Sequence, residues 1–220
     1  MKKKIAVVLC GSGYLDGSEI RESVGVLWAL SRHDVEVQCF APDSAQADVI
    51  NCLTGEPVPG ESRNMLVESA RIARGQVKAL DQLKPEDFDA LIMPGGFGAA
   101  KNLCNFAAKG SQGVVCADLL KVLEPMKKAG KPIGAVCIAP AILALAFKGE
   151  GLELTVGAFG EVAQEIQKLG HIHQLCLPSV CHVDRKNKVV TTPAYMWDSA
   201  SLHDIFHGIQ SLVDEVVALI

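Results

Sequence analysis

The stretch Lys131-Pro-Ile-Gly-Ala-Val-Cys-Ile-Ala-Pro-Ala-Ile-Leu143 decides how the rest of the chain reads. Ile133 to Val136 has the character of a short buried strand. Pro140 opens a segment of helical period, and a proline costs nothing in a helix's first turn because its missing N–H has no partner there. Cys137 falls between the two. Ala135 and Ala139 stand two residues to either side, where a sharp strand-to-helix turn needs small side chains against neighbouring backbone. The pattern predicts a nucleophile elbow with cysteine in place of serine. A helix N-terminus favours a thiolate, so a lowered thiol pKa is expected. The Ile138 N–H would then face an oxyanion formed on the attacked carbon. A buried structural cysteine is the alternative.

Working outward, further apolar runs read as buried strands at Lys4 to Cys10, Val35 to Phe40 and Ala90 to Met93. Helical period is expected over Ser18 to Ser31, with Ile20, Val24, Leu27 and Trp28 on one face, and over Arg63 to Arg74, Val114 to Ala129, Pro140 to Phe147 and Ser201 to Leu219. Strands alternating with helices imply an α/β fold with a mainly parallel sheet covered on both sides. Val180 to Val183 and Val189 to Thr192 flank Asp184-Arg-Lys-Asn187 as a hairpin would. Asp43 to Ser62 reads as a long loop with at most one helical turn.

The 220 residues suit a single domain over 1–220, and with 49% apolar residues the chain can bury a large core. A net charge of -4 without a basic face argues against nucleic acid as partner. No apolar run approaches the roughly 18 residues of a membrane span. Met1 to Leu9 is too short in its apolar part for a signal peptide. Eight cysteines in such a chain read as reduced thiols of a cytoplasmic protein.

Parallel sheets carry their sites at the carboxyl ends of strands. After the strand at Ala90 comes Pro94-Gly-Gly-Phe-Gly98, a turn where the Gly96 N–H offers a second oxyanion donor. After the first strand, Asp16-Gly-Ser-Glu19 opens a helix. Ser18, Asp16 and Glu19 all suit its first turn, but Glu19 is also placed to touch the Cys137 thiol and shuttle a proton. Gly11-Ser-Gly13-Tyr-Leu-Asp16 lacks the third glycine of a dinucleotide-binding loop, so NAD is not expected.

These residues resemble the DJ/PfpI superfamily, relatives of class I glutamine amidotransferases, and within it the ElbB-type, isoprenoid-biosynthesis-associated proteins. The likeness spans nearly the whole chain through Asp16-Gly-Ser-Glu-Ile20, Phe40-Ala-Pro-Asp43, Leu53-Thr-Gly-Glu56, Glu68-Ser-Ala-Arg-Ile-Ala-Arg-Gly75, Pro94-Gly-Gly-Phe-Gly-Ala-Ala-Lys-Asn-Leu103, Cys137-Ile-Ala-Pro140 and Val190-Thr-Thr-Pro-Ala-Tyr195. It implies a flavodoxin-like three-layer sandwich and a homodimer. It implies Cys137 as nucleophile, Glu19 as its carboxyl partner, and Gly96 and Ile138 as oxyanion donors. It further implies conversion of glyoxal, a small aldehyde, to glycolate without glutathione, metal or cofactor, together with an apparent protein deglycase activity. Two departures narrow this. Ile138 stands where related proteins often carry histidine, and Thr191-Thr-Pro-Ala194 lacks the amidotransferase histidine, so a full triad for glutaminase or peptidase chemistry is missing. The other class of reading is a cysteine redox sensor, or an accessory binding protein that kept the fold.

Two histidine-bearing stretches suggest metal less well. His171, His173, Cys176, Cys181 and His182 match no standard zinc spacing, and His203-Asp-Ile-Phe-His207 lacks both the longer acid and a third ligand of H-E-x-x-H sites.

Overall fold

The computed structural model describes residues 2–220. Eleven strands run along the chain: β1 (Lys3–Val8), β2 (Val35–Ala41), β3 (Ile50–Asn51), β4 (Glu56–Pro57), β5 (Val77–Ala79), β6 (Ala90–Met93), β7 (Ile133–Val136), β8 (Glu153–Leu154), β9 (Ile172–His173), β10 (His182–Asp184) and β11 (Val189–Thr192). The α-helices are α1 (Ile20–Leu30), α2 (Met65–Ile72), α3 (Phe97–Lys101), α4 (Phe106–Lys109), α5 (Ala117–Lys128), α6 (Pro140–Ala146), α7 (Glu161–Lys168) and α8 (Leu202–Ala218). Seven strands form the central sheet in the order β10-β11-β7-β6-β1-β2-β5, parallel throughout except for β10.

Side chains on a strand alternate between faces, so β1 feeds two cores. Ala6 and Val8 pack with Leu119, Leu123 and Met126 of α5 and with Ala141 and Ile142 of α6. Ile5 and Val7 pack with Val26 and Leu30 of α1 and with Ile209, Leu212 and Val213 of α8. Each such large aliphatic side chain contributes about 1.5–3 kcal/mol when fully buried. The chain is thus an α/β three-layer sandwich of flavodoxin-like type.

From β1 the chain moves to β2 on one side, and from β6 to β7 on the other. The direction of winding reverses between β1 and β6, where open α/β sheets leave a crevice beyond the strand ends. The segments after β1, β6, β7 and β11 all converge there.

Two expectations are corrected. The 43–62 segment is not a plain loop. It holds the small antiparallel pair β3–β4, and the Asp16 carboxylate anchors it by accepting the Ile50 N–H at 2.9 Å. On α1, the stripe Ile20, Val24 and Trp28 faces outward at 46, 44 and 42% exposure. The buried stripe is Glu22, Val26, Ala29 and Leu30. Both have helical spacing, and on the exposed one Trp28 meets Phe206 of α8 in a tilted pair and lies under Arg32.

His171 is a structural residue. Its Nδ1 accepts the Leu152 N–H at 3.1 Å and its Nε2 lies 2.9 Å from the Ala144 carbonyl, an arrangement only the neutral ring with its proton on Nε2 satisfies. Burial lowers its pKa below the ordinary 6.5, with the Ala144 contact and Glu150 opposing. The unfolded chain therefore takes up this proton first as pH falls, and stability drops from about pH 6.5 downward until the folded ring titrates. Melting curves between pH 7 and pH 5 should show a steeper acid decline for the unaltered protein than for His171→Gln, whose amide both accepts and donates but does not titrate.

Candidate active site

Cys137 sits at φ 61, a left-handed conformation that non-glycine residues rarely hold. Such backbone costs about 1–3 kcal/mol and persists only where its surroundings impose it. Here the Cys137 N–H is held by the Thr192 carbonyl at 2.8 Å, and the Ala139 N–H by Val136 at 3.0 Å. Ala135 and Ala139 are fully buried against the turn, as the spacing predicts. The turn thus joins β7 to α6 with the thiol at the sheet's carboxyl edge.

The glycine turn after β6 is laced to the segment after β1. Glu19 N–H donates to Gly95 O at 2.9 Å, Phe97 N–H to Tyr14 O at 2.8 Å, and Gly98 N–H to Gly17 O at 3.0 Å. Gly96 has φ 94, and a Cβ there would run into Gly17 O at 2.5 Å and the Glu19 backbone nitrogen. Only glycine fits both constraints. The consequence is that Gly96 and Ile138 line one cavity with Cys137, their N–H groups favouring negative charge at its sulfur, as oxyanion donors for an adduct there would.

The carboxyl partner of the thiol is Glu22. Its side chain is fully buried beside Cys137, the Glu22 Oε2 and the Cys137 Cβ both lying against Gly95. Oε2 accepts the Gly95 N–H at 3.0 Å and Oε1 the Tyr195 N–H at 3.3 Å. Glu19 does something else. It is the N-cap of α1, its Oε2 accepting the Glu22 N–H at 2.6 Å, and no hydrogen bond joins it to the thiol among the described residues. The expected contact between Glu19 and Cys137 is therefore made by the carboxyl one turn along. Ser18, another cap candidate, instead accepts the Cys10 N–H at 2.9 Å.

The electrostatics reverse a second expectation. Burial pushes the Cys137 thiol well above its ordinary pKa, and the Glu22 charge adds to the rise, while the Gly96 and Ile138 N–H groups pull it down. The thiol is only 7% exposed, and the helix behind it has seven residues, so desolvation outweighs the dipole. Burial and the nearby Glu19 charge push Glu22 up to about 8. Two buried groups that repel as anions release their protons as a coupled pair, so a thiolate at Cys137 forms most readily while Glu22 carries the remaining proton.

Above the thiol lies a cavity of about 340 Å³. Its apolar wall is Phe97, Ile138, Val162 and Met196, and its polar wall is Tyr14, Glu19, Tyr195 and Asp198. No histidine lines it. Phe97, Ile138 and Val162 also border a larger neighbouring hollow of about 480 Å³ that does not reach the sulfur. Glu19 thus faces the cavity although it does not touch the thiol. Burial raises its pKa too, against the Glu22 N–H and the Arg21 charge.

Sequence reasoning named Cys137, Gly96 and Ile138, which the structure places around one cavity. It missed Glu22 and Tyr195. The signal for Glu22 was its place four residues before Val26 and eight before Leu30, a carboxylate on a core stripe. Tyr195 follows Ala194, whose φ of 42 is the other strained backbone at the site.

Comparison with known proteins agrees with this architecture. The human protein "Glutamine amidotransferase-like class 1 domain-containing protein 3, mitochondrial" is 47% identical across 98% of this chain and 83% of its own length. The rat "ES1 protein homolog, mitochondrial" is 45% identical across 99% of this chain and 84% of its own. Among solved structures, an "isoprenoid biosynthesis protein with amidotransferase-like domain" from Ehrlichia chaffeensis superposes with a TM-score of 0.91 at 38% identity, covering 99% of both chains. Drosophila melanogaster DJ-1beta shares the fold at a TM-score of 0.56 and 17% identity, over 100% of this chain and 96% of that one. The DJ-1/PfpI family model matches residues 4–168, and on that match this chain belongs to the DJ-1/PfpI family.

Proposed function

We propose that this protein is a glutathione- and metal-independent glyoxalase-like enzyme that converts glyoxal to glycolate. The observation that carries the reading is Cys137 at φ 61, lining one cavity with Gly96 and Ile138 and backed by the buried Glu22 carboxyl. A cavity of about 340 Å³ without histidine suits a small aldehyde better than a peptide or glutamine.

The reaction starts as the ionised Glu22 takes the thiol's proton, which leaves the single proton of the pair on Glu22. The Cys137 sulfur bonds to one carbonyl carbon, and the oxyanion so formed is held by the Gly96 and Ile138 N–H groups. Glu22 hands its proton to that oxygen, giving a hemithioacetal. The Glu19 carboxylate removes the hydrogen of the attacked carbon as a proton, its bonding pair moves into a carbon–carbon double bond, and the second oxygen takes up a proton. Glu19 returns its proton to the second carbon as the first oxygen loses one, leaving a glycolyl thioester. Water adds to the thioester carbon, the C–S bond breaks, and the thiolate departs with Glu22 again protonated. The sum is glyoxal plus water giving glycolate and one proton.

Cys137→Ala should reduce glycolate formation to the rate of buffer, read by NMR of the product, while the protein stays folded because alanine fits where a small buried side chain already sits. Turnover retained in this variant would remove the mechanism. A second reading rests on the thiol's burial with N–H donors that would also hold a sulfinate: a redox sensor, which predicts rapid peroxide oxidation of Cys137 without aldehyde turnover.

A further inference from the structure

We propose that Tyr195 is a catalytic residue, the donor to the second carbonyl oxygen, so that the site selects compounds with two adjacent carbonyl groups. This inference rests on the glyoxalase-like reading and adds the group that reading leaves unnamed. Tyr195 lines the cavity with Cys137. Its phenol oxygen accepts a hydrogen bond from the Arg21 guanidinium at 3.0 Å. That leaves the phenol's own hydrogen without a protein partner among the described residues. Its backbone N–H is fixed on Glu22 at 3.3 Å, and Arg21 and Glu22 are successive residues of α1. Ring and backbone are therefore both tied to the helix that carries the thiol's partner. Ala194 at φ 42 makes the bend that turns the chain into this position. Such strain is stored where a side chain's aim matters.

The geometry divides a dicarbonyl between two sets of donors. The Gly96 and Ile138 N–H groups face the oxygen on the carbon bound to sulfur. Across the same cavity, the phenol faces the other oxygen. As the carbon–hydrogen bond of the hemithioacetal breaks and its electron pair moves into the carbon–carbon bond, the phenol gives its proton to the second oxygen. The first oxygen's proton then returns to the phenolate as Glu19 protonates the second carbon. Tyrosine ends the cycle unchanged. The positive charge of Arg21 beside the phenol steadies the phenolate through that interval. A compound with one carbonyl gains nothing from this donor.

Tyr195→Phe keeps the ring and the backbone N–H to Glu22. Its kcat for glyoxal should fall about 100-fold or more, in the range general acid catalysis supplies. Alkylation of Cys137 by iodoacetamide should keep the same rate and pH profile. A wild-type kcat in Tyr195→Phe, or an equal loss of kcat and alkylation, overturns the role of Tyr195 alone. No glycolate from the unaltered protein removes the underlying reading and this inference with it.

Discussion

Replacing Glu22 by glutamine lowers glyoxal turnover about 100-fold or more, the scale of a lost general acid–base group, and moves the alkylation of Cys137 to lower pH. The two effects have opposite signs for one reason. In the unaltered protein an ionised Glu22 opposes a second negative charge at the sulfur, and the amide removes that opposition. The thiol ionises more easily, yet nothing remains to hold and return its proton. Stability follows the same logic. The folded state holds the Glu22 proton up to about pH 8, whereas an ordinary glutamate lets it go near 4.5. Raising pH through that window therefore favours the unfolded chain, and stability falls. The glutamine variant lacks this decline. It starts lower, because its NH2 group meets the Gly95 or Tyr195 N–H, a loss of about 1–3 kcal/mol for an unsatisfied buried donor. Melting temperatures of the two proteins should converge from pH 5 to pH 9. Glu19→Gln separates the roles: turnover falls while the alkylation profile shifts less than in Glu22→Gln, since Glu19 acts on the sulfur only through its charge on Glu22. Equal profiles for the wild type and Glu22→Gln would contradict the pairing.

Gly95→Ala should damage stability and the reactive pair together. A Cβ at this position would meet Glu22 Oε2 at 2.7 Å, Val136 O at 2.8 Å, and the Cys137 Cβ closer still. Two of these neighbours are the reactive pair and the third is backbone, so none can yield without moving the site. We expect a loss of about 3 kcal/mol, the upper end for overpacking, or roughly 6–12 °C in melting temperature for a chain of this size. Thiol alkylation should change with it. Gly160 supplies the comparison: it has extended backbone and nothing within 4 Å of a built Cβ, so its alanine variant should cost under about 1 kcal/mol. A thermal scan of both variants checks the pair of expectations.

The strands at Ala90–Met93 and Ile133–Val136 were legible residue for residue because fully buried parallel strands are continuous apolar runs. The closing helix, Leu202–Ala218, carries a clean apolar stripe and a serine cap and was legible too. What escaped was short or polar. The pairs β3–β4 and β8–β9 have two residues per strand and owe their form to tertiary contacts, Asp16 for the first and His171 for the second. The eight-residue helix Glu161–Lys168 also escaped although it is amphipathic, with Ala163 and Ile166 on its buried face.

The site shows the same division. The elbow was legible because its demand is steric, and small residues at 135 and 139 state it openly. The carboxyl partner was not, because α1 has two stripes of equal spacing. Apolarity favours Ile20, Val24 and Trp28, while the fold buries the stripe that carries a glutamate. A buried acid breaks the ordinary pattern of helix packing, and here it does so where the chemistry lies.

The most direct measurement is the formation of glycolate from glyoxal by the unaltered protein in D2O, followed by NMR beside Cys137→Ala and Glu22→Gln. Glycolate should form from the unaltered protein alone, with deuterium on its second carbon to the extent that the proton on Glu19 exchanges with solvent before its return. No glycolate above the rate of buffer, or glycolate at equal rates from all three proteins, would contradict the mechanism.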